Sequence, residues 1–311
     1  REWVHYEWSA GGNGGFAEDD GPSAIATIDW GDLVTVQSTE VIETRMPLLV
    51  ESSRLAVDSG GPGTTRGGLS MERALRVLAP EARYSLLSDG AVVPAFGVLG
   101  GRSGVPVGAW IARNGKAEPF ATPGKVAGHV VNAGDVVMVR SAGGGGYGDP
   151  LERDGERVAA DLAEGYISAA AAHDVYGVVV DERHQVDAAA TRALRQRLRV
   201  GRVELTARLA ADVFEDGAVS RRRVLRLNPA DATSAAIGED DVAELDGGRA
   251  APLRGWARLD PTVAPGTIGI DRRGLAILKA AVGGKLTVRQ VQAAAPVGAA
   301  DGLIGARRPR P

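Results

Sequence analysis

The chain contains no cysteine among its 311 residues. This absence excludes disulfide scaffolds, thiolate nucleophiles, zinc knuckles and iron–sulfur ligation together, and it fits a reducing compartment. The chain also lacks any apolar run near the roughly 18 residues that a membrane span needs, and no signal peptide opens it. We therefore expect a cytoplasmic protein with no membrane partner.

An excess of charge of either sign is also missing. The 36 basic and 39 acidic residues leave a formal net charge of −3, which argues against a nucleic-acid partner bound through a broad basic surface. With 44% hydrophobic residues, wholesale disorder is excluded, and the length predicts about two domains. Glycine is in excess, since 43 residues are roughly double the usual share of about 7%. So many glycines predict tight turns and positive φ angles.

The first 150 residues predict a mainly β structure, because short apolar runs alternate with Gly, Pro, Asn and Asp clusters. The candidate strands are 24–28, 105–113 (before the hairpin signal Asn114-Gly115) and 135–140. Residues 151–202 predict short helices. They are 156–164, 169–176 with Ser168 as N-cap, and 188–199 capped by Asp187, with a strand at 178–180.

Residues 203–311 contain a weak internal repeat, with copies at 223–245 and 266–288. Each copy predicts a strand, a polar cap, a short helix, a turn and a second strand, and two such units should pack together. The pattern resembles the double-psi β-barrel of molybdopterin-dinucleotide-binding domains and of some AAA-type ATPases. We therefore expect an α+β protein: a glycine-rich, mainly β domain followed by short helices over 1–202, then a small barrel-like domain over 203–311. The second should be separable and serve docking or regulation, and 302–311 should form a solvated tail.

The strongest local motif is the glycine loop, residues 143–150, which reads Gly143-Gly144-Gly145-Gly146-Tyr147-Gly148-Asp149-Pro150. Its N–H groups could cradle an anion; alternatively, neighbouring backbone packs closely against it. It is neither a P-loop nor a dinucleotide-binding fingerprint. Because Tyr147 and Asp149 anchor it, we expect an ordered loop at an interface or cleft.

A second motif runs from Asp58 to Gly68. Ser59 invites a nucleophile interpretation, but no histidine lies near it in the sequence, so a structural turn is favoured. Arg66 lies between two glycine pairs. Its guanidinium could hold a carboxylate or phosphate bidentately, or it could form a structural ion pair with Glu40, Glu43 or Asp58. We expect it to be at least partly buried and paired.

No complete catalytic constellation follows from these residues, and the catalytic residues stay unassigned. The four histidines, His5, His129, His173 and His184, have no metal-ligand spacing, and no P-loop lysine is present. We expect the chain alone to bind neither ATP nor a divalent metal tightly. Trp3, Tyr6 and Trp8 would form an apolar patch near the first residue, and we expect another chain to cover it.

The motifs occur in one order: Gly11-Gly12, Asp20-Gly21, Glu40-x-x-Glu43, Pro47, Asp58 to Gly63, Arg66-Gly67-Gly68, Gly100-Gly101, Gly143 to Asp154 and Tyr176 to Val179. Over about residues 9–200 this series resembles the carboxyl-terminal half of the hydantoinase B, or oxoprolinase B, family. The resemblance implies a hydantoinase A-like ATP-binding partner, a small-molecule substrate, and ATP and a divalent metal in the assembled complex. The reactions it implies are opening of hydantoins, 5-oxoproline or lactams, or carboxylation of acetone or acetophenone.

The resemblance also has a gap. The family's metal-binding His and Asp motifs lie in an amino-terminal half that has no counterpart here, so no metal ligand is carried over. Because the chain begins at Arg1 rather than Met, we expect a fragment, a cleaved product or a split subunit whose missing half comes from another chain. Three hypotheses stay open: a hydrolase subunit, a carboxylase subunit, and a scaffold chain without chemistry of its own.

Overall fold

The computed structural model describes residues 2–26, 37–122, 124–216 and 221–291. The candidate strand at 24–28 lies partly outside these residues, and the tail at 302–311 lies wholly outside them. The first part of the chain contributes α1 (Thr39–Arg45), β1 (Leu48–Leu55), β2 (Met71–Val77), β3 (Glu81–Leu87), β4 (Gly108–Arg113), β5 (Lys116–Pro119), β6 (Lys125–Asn132) and β7 (Val136–Arg140).

Five of these strands form an antiparallel sheet in the order β1-β2-β7-β4-β5, while β3 pairs with β6. The predicted strands at 105–113 and 135–140 are confirmed as β4 and β7. Asn114 and Gly115 have φ angles of +51° and +80°, as the tight turn between β4 and β5 requires. Alternate side chains of β4 enter separate apolar clusters, Trp110 with Met138 and Ile111 with Val137, so both faces of the sheet are covered.

A bundle of extended segments without strand pairing lies beside this sheet; we call it the glycine bundle. It consists of residues 11–16, 59–68, 95–105 and 142–148. Their backbone hydrogen bonds recur every third residue: Gly12 and Gly15 donate to Ala142 and Gly145, and Gly144 and Tyr147 donate to Gly68 and Thr65. A three-residue period is typical of the polyproline II conformation. Residues 142–148 form the centre of the bundle, with the other segments around them.

Close backbone approach explains the glycines of this bundle. A Cβ atom added to Gly143, Gly144, Gly145 or Gly146 would lie between 1.8 and 2.2 Å from a carbonyl oxygen of another segment. No side chain fits at such distances. Positive φ angles, expected from so many glycines, occur at twelve glycines of the described residues, but within residues 143–148 Gly148 alone has one, at +73°.

The helical region that follows agrees with prediction: it contains α2 (Gly155–Ala163), α3 (Ala169–Asp174) and α4 (Ala188–Val200). Ser168 and Asp187 are the N-caps of α3 and α4. The predicted strand at 178–180 is wrong. The backbone of Val179 bonds instead to the Thr191 hydroxyl and to the Asp187 N–H, so its polar groups are satisfied by α4 and its cap.

The remaining described residues form a curled sheet with two helices, which we call the barrel. Its elements are β8 (Glu204–Leu209), β9 (Phe214–Asp216), β10 (Arg221–Leu227), α5 (Pro229–Ser234), β11 (Val242–Asp246), β12 (Leu253–Leu259), β13 (Thr267–Ile270), α6 (Arg272–Leu278) and β14 (Lys285–Gln290). The strand order is β13-β8-β14-β11-β12-β10-β9, and β10 and β13 approach each other across the curl. This confirms an α+β fold with a barrel-like second part.

The predicted repeat is confirmed as β10-α5-β11 and β13-α6-β14. A further strand precedes each copy, and these strands are exchanged: β8 pairs in parallel with β13, and β12 pairs in parallel with β10. The apolar side chains of both copies share one core, which includes Leu227 and Ile270. Neither copy could bury this core alone, which is why the two interlock. Over the described residues, no helix has the length and apolarity needed to cross a membrane.

Candidate functional site

An open cleft of about 940 Å³ lies between the glycine bundle and the helices on one side and the barrel on the other. Its walls include the 99–105 segment, the end of α3, the 201–204 connection and strand β14. Of the sequence-predicted residues, Asp58 and Asp149 line this cleft. Arg66 belongs to a buried ion cluster, and Ser59 and residues 143–147 lie in the glycine bundle.

The buried ion cluster consists of Arg66, Arg153, Asp20 and Asp161. The Arg66 Nε and Nη2 atoms donate to the two Asp161 carboxylate oxygens, each at 3.2 Å. Arg153, only 1% exposed, donates to both Asp20 oxygens at 2.6 and 2.7 Å and to Asp161 at 2.8 Å. Two buried guanidinium groups face two carboxylates here, and the more exposed Arg157 adds a third guanidinium at 3.0 Å from Asp20.

Electrostatics within the cluster favour the charged forms. Burial alone would raise the pKa of Asp20, but the hydrogen bonds and charge of Arg153 and the Arg66 N–H outweigh burial and lower this pKa to about 2. The two carboxylates raise the pKa of Arg153 above its usual value despite burial. Arg66 is thus buried and paired as expected, but Asp161 is its partner. The expected partners Glu40, Glu43 and Asp58 were wrong, because α2 brings Asp161 over the glycine pairs.

Ser59 is a structural residue in this geometry. It is 1% exposed; its Oγ donates to the Ala56 carbonyl at 2.5 Å and accepts from the Ser70 N–H at 2.9 Å. Asp58 has a φ of +58° and accepts from the Ser168 N–H at 2.8 Å, so it holds the start of α3. These bonds support the structural-turn interpretation of Ser59 over the nucleophile interpretation.

The glycine loop is ordered at the centre of its bundle, and its end reaches the cleft. The N–H groups of Gly143, Gly144, Gly146 and Tyr147 donate to carbonyls of neighbouring segments. Donors already bonded to backbone cannot also hold an anion, so the geometry favours the close-packing interpretation. Anion binding by this loop stays a prediction.

Asp149, which follows the loop, lines the cleft and binds Arg202 bidentately at 2.6 and 2.8 Å. Burial would raise the pKa of Asp149, but Arg202 lowers it overall. The hydrogen bond to Asp149 in turn raises the pKa of Arg202. This ion pair connects the glycine loop with the start of the barrel.

The barrel wall carries its own paired charges. Glu244 is 1% exposed and accepts from Arg254 at 2.7 Å and from Arg289 at 2.8 Å. Arg289 also donates to Asp246 and to the Gly101 carbonyl. These arginines thus join β11 and β14 to the glycine bundle across the cleft.

Two further residues stand out here: Arg102, which sequence reasoning missed, and Tyr176, which it named only as part of a motif. In the part of the chain that the structure describes, the Arg102 side chain has no hydrogen bond or ion pair. Burial, with repulsion from Arg289 and Arg202, lowers its pKa to about 10. Tyr176 is 1% exposed and its hydroxyl has no partner. Their surroundings depend on distant segments, so no local sequence signal identifies them.

The histidines are dispersed, and none faces a set of acidic ligands. Across residues 2–26, 37–122, 124–216 and 221–291, no three His, Asp or Glu side chains lie together as a possible metal site.

The three aromatic residues near the start of the chain differ in their surroundings. Trp3 packs against the core of the five-stranded sheet, whereas Tyr6 is 76% and Trp8 49% exposed. Trp3 is thus partly buried by the chain's own sheet. The expectation that another chain covers Trp3, Tyr6 and Trp8 stays a prediction.

The class that these features define is an α+β protein with a glycine-packed backbone bundle, a sheet beside it and a barrel behind a cleft. Residues 1–150 match the sequence model of the family described as hydantoinase B/oxoprolinase. This part of the chain is thus similar in sequence to hydantoinase B/oxoprolinase proteins.

Named relatives agree with this family. The B component of a putative D-/L-hydantoinase from Pseudomonas sp. (strain NS671) is 30% identical over 62% of this chain and 32% of its own length. The crystal structure of the ATP-dependent caprolactamase from Pseudomonas jessenii superposes with a TM-score of 0.52 and 29% identity, over 60% of this chain and 32% of that one. A nucleotide-free acetone carboxylase structure superposes with a TM-score of 0.53 and 26% identity, over 62% of this chain and 30% of that one. The chain thus spans about a third of the length of these relatives.

Proposed function

We propose that this chain is one part of a hetero-oligomeric, ATP-dependent cyclic amide hydrolase that opens hydantoin, oxoproline or lactam rings. The similarity to the B component of a hydantoinase and to an ATP-dependent caprolactamase supports this substrate class. A hydantoinase A-like subunit would bind ATP. A further chain would supply the family's amino-terminal, metal-bearing half.

The observation that carries the proposal is the family match over residues 1–150, in a chain whose matched part spans about a third of its relatives' length. An amide oxygen is a poor leaving group, and transfer of a phosphoryl group from ATP to it would activate the ring for attack by water. The described residues offer no three-ligand metal cluster for such chemistry. The contribution of this chain is therefore to complete the assembly around a rigid bundle, and alone it would be inactive.

A second candidate is a subunit of an ATP-dependent ketone carboxylase of the acetone or acetophenone type. The superposition on acetone carboxylase, with a TM-score of 0.53, favours it as a specific alternative. A third is a scaffold chain that completes an interface and contributes nothing to the chemistry. Bicarbonate dependence separates the first two, because only carboxylation consumes bicarbonate.

The test is reconstitution. This chain, a hydantoinase A-like subunit and a chain carrying the amino-terminal half are co-expressed and co-purified. The complex is then assayed with ATP and a divalent metal on hydantoin, 5-oxoproline and caprolactam, and separately on acetone with bicarbonate. We expect ATP-dependent ring opening that is lost when any one chain is omitted.

Two results would contradict the proposal. Carboxylation of acetone without ring opening would establish the second candidate. Full ring-opening activity in the absence of this chain would leave it the scaffold role. The complex prepared with Gly14→Ala controls for the effect of substitution as such and should keep full activity. A Cβ at Gly14 makes only an ordinary contact of 3.7 Å with the Gly145 carbonyl.

A further inference from the structure

Among the arginines that line the cleft, Arg102 alone has no ion pair with the described residues; Asp149, which attracts it, is bound to Arg202. Arg202 is paired with Asp149, and Arg289 is paired with Glu244 and Asp246. Arg102 lies close enough to both arginines to be repelled by them, yet it has no hydrogen-bonding or ion-pairing partner among the residues that the structure describes. A guanidinium kept partly out of water without a counter-ion is costly, and an anion in the cleft would remove that cost.

A second, independent group points to the same place. The Tyr176 ring lines the cleft, and its hydroxyl is buried without a hydrogen-bond partner. Burial raises the pKa of this phenol, so the hydroxyl keeps its proton and can donate it in a hydrogen bond. Tyr176 and Arg102 line the same cleft. Tyr176 also lies beside the buried ion cluster, whose Arg153 guanidinium is 5.9 Å from its ring centroid.

We propose that Arg102 and Tyr176 bind the carboxylate group of a small organic molecule in this cleft. Arg102 and Tyr176 together offer one positive charge and one neutral donor, which match a monoanion better than a doubly charged phosphate; the exposed Lys285 also lines the cleft. The planar guanidinium also suits a carboxylate, which it can bind bidentately. The cleft volume of about 940 Å³ leaves room for the rest of the molecule, and Ile167 and Val175 give its wall an apolar part.

The ligand would also connect the two sides of the cleft. Arg102 belongs to the glycine bundle, and Tyr176 follows α3, while the opposite wall is formed by barrel residues such as Thr287 and Arg289. A carboxylate held at Arg102 would lie next to Arg289 and so contact both walls. The inference goes beyond the proposed function, since it requires neither ATP nor the other subunits.

The experiment uses the full chain. Titration calorimetry and thermal unfolding are measured with acetate, hexanoate and benzoate at pH 7.5, against chloride at equal ionic strength and against inorganic phosphate. We expect saturable binding of at least one monocarboxylate. Arg102→Gln and Tyr176→Phe should each weaken it about tenfold or more, the range for hydrogen bonds to charged groups. Arg192→Gln, on the exposed face of α4, should change nothing.

Thermal unfolding without ligand gives a second readout that keeps the variants interpretable. If Arg102 serves a ligand, Arg102→Gln should unfold at an equal or higher temperature than the unmodified chain, because a costly unpaired charge is gone. A lower unfolding temperature would show a structural role and overturn the proposal. Absence of saturable carboxylate binding, equal binding by Arg102→Gln, or tighter binding of phosphate than of every carboxylate would overturn it as well.

Discussion

Arg66 and Asp161 lie 95 positions apart in the sequence, and their side chains meet in the interior through two hydrogen bonds of 3.2 Å. The pair fastens α2 onto the glycine bundle. Because Arg153 binds the same carboxylate, the position of α2 and the position of residues 59–68 depend on one shared group. The buried ion cluster thus stabilises a tertiary arrangement that apolar packing alone would leave less defined.

Replacement of Arg66 by lysine should destabilise the chain by about 2–3 kcal/mol, since one ammonium cannot reproduce the two parallel bonds to Asp161. Urea unfolding followed by fluorescence measures this loss. Arg199→Lys is the matched control, because the Arg199–Glu152 pair is exposed on both sides and should contribute less than about 1 kcal/mol. Equal stability of Arg66→Lys and the unmodified chain would contradict the structural role of the pair.

A pair of alanine substitutions in one segment tests the glycine bundle. A Cβ at Gly12 would lie 1.9 Å from the Gly68 carbonyl oxygen, whereas a Cβ at Gly14 has its nearest neighbour at 3.7 Å. We expect Gly12→Ala to lower the free energy of unfolding by about 3 kcal/mol or more, as forced overpacking does. Gly14→Ala should change it by less than about 1 kcal/mol. Similar unfolding curves for both variants would show that the segments are not in close contact.

Acid should lower the free energy of unfolding by protonating the Asp20 carboxylate. Its pKa is about 2 in the folded state, against an ordinary value of 3.8. The unfolded chain therefore binds this proton more readily, and the stabilisation, about 2 kcal/mol, is complete above about pH 4 and lost as the pH falls through 2. Asp20→Asn should be less stable at pH 7 and flatter between pH 4 and 2 than the unmodified chain. Parallel acid-unfolding profiles of the two chains would contradict this assignment.

The boundary near residue 202 stays a prediction. The barrel has its own apolar core, and its described contacts with the 94–103 segment include polar bonds from Arg254 and Arg289. We therefore expect a chain ending at residue 202 to fold with its sheet and glycine bundle intact. Circular dichroism and protease resistance of that chain measure this. Failure of residues 1–202 to fold would place the boundary elsewhere.

Local signals predicted much of the fold. Asn114-Gly115 predicted its hairpin, and Ser168 and Asp187 predicted helix starts, because turn and cap chemistry depends on neighbours in sequence. The parallel strands β8 and β12 were missed, since pairing across a repeat is decided by distant partners. Val178 to Val180 has the composition of a strand, but its ladder pairing among the described residues is limited to one isolated antiparallel bridge between Val180 and Val186.

The site was less accessible to sequence reasoning. Arg66 was recognised from its flanking glycines, yet its partner Asp161 could not be identified, because α2 carries that residue over a long distance. Arg102 itself belongs to no motif. It is unusual only because Arg202 and Arg289, which lie beside it, are already paired with Asp149 and Asp246. Which charge remains unpaired is a property of the whole arrangement and not of any segment.

The central position of residues 142–148 has a consequence for the order in which the chain folds. Every neighbour of this segment, from Gly12 to Val105, leaves the ribosome before it, and none can make its final contacts until it arrives. The bundle therefore has a high contact order, and its closure should be a slow step. During synthesis the glycine segments of the nascent chain would stay open and partly hydrated until residue 148 has emerged. Binding by a chaperone, or by another chain of the proposed assembly, would protect these segments most during this interval.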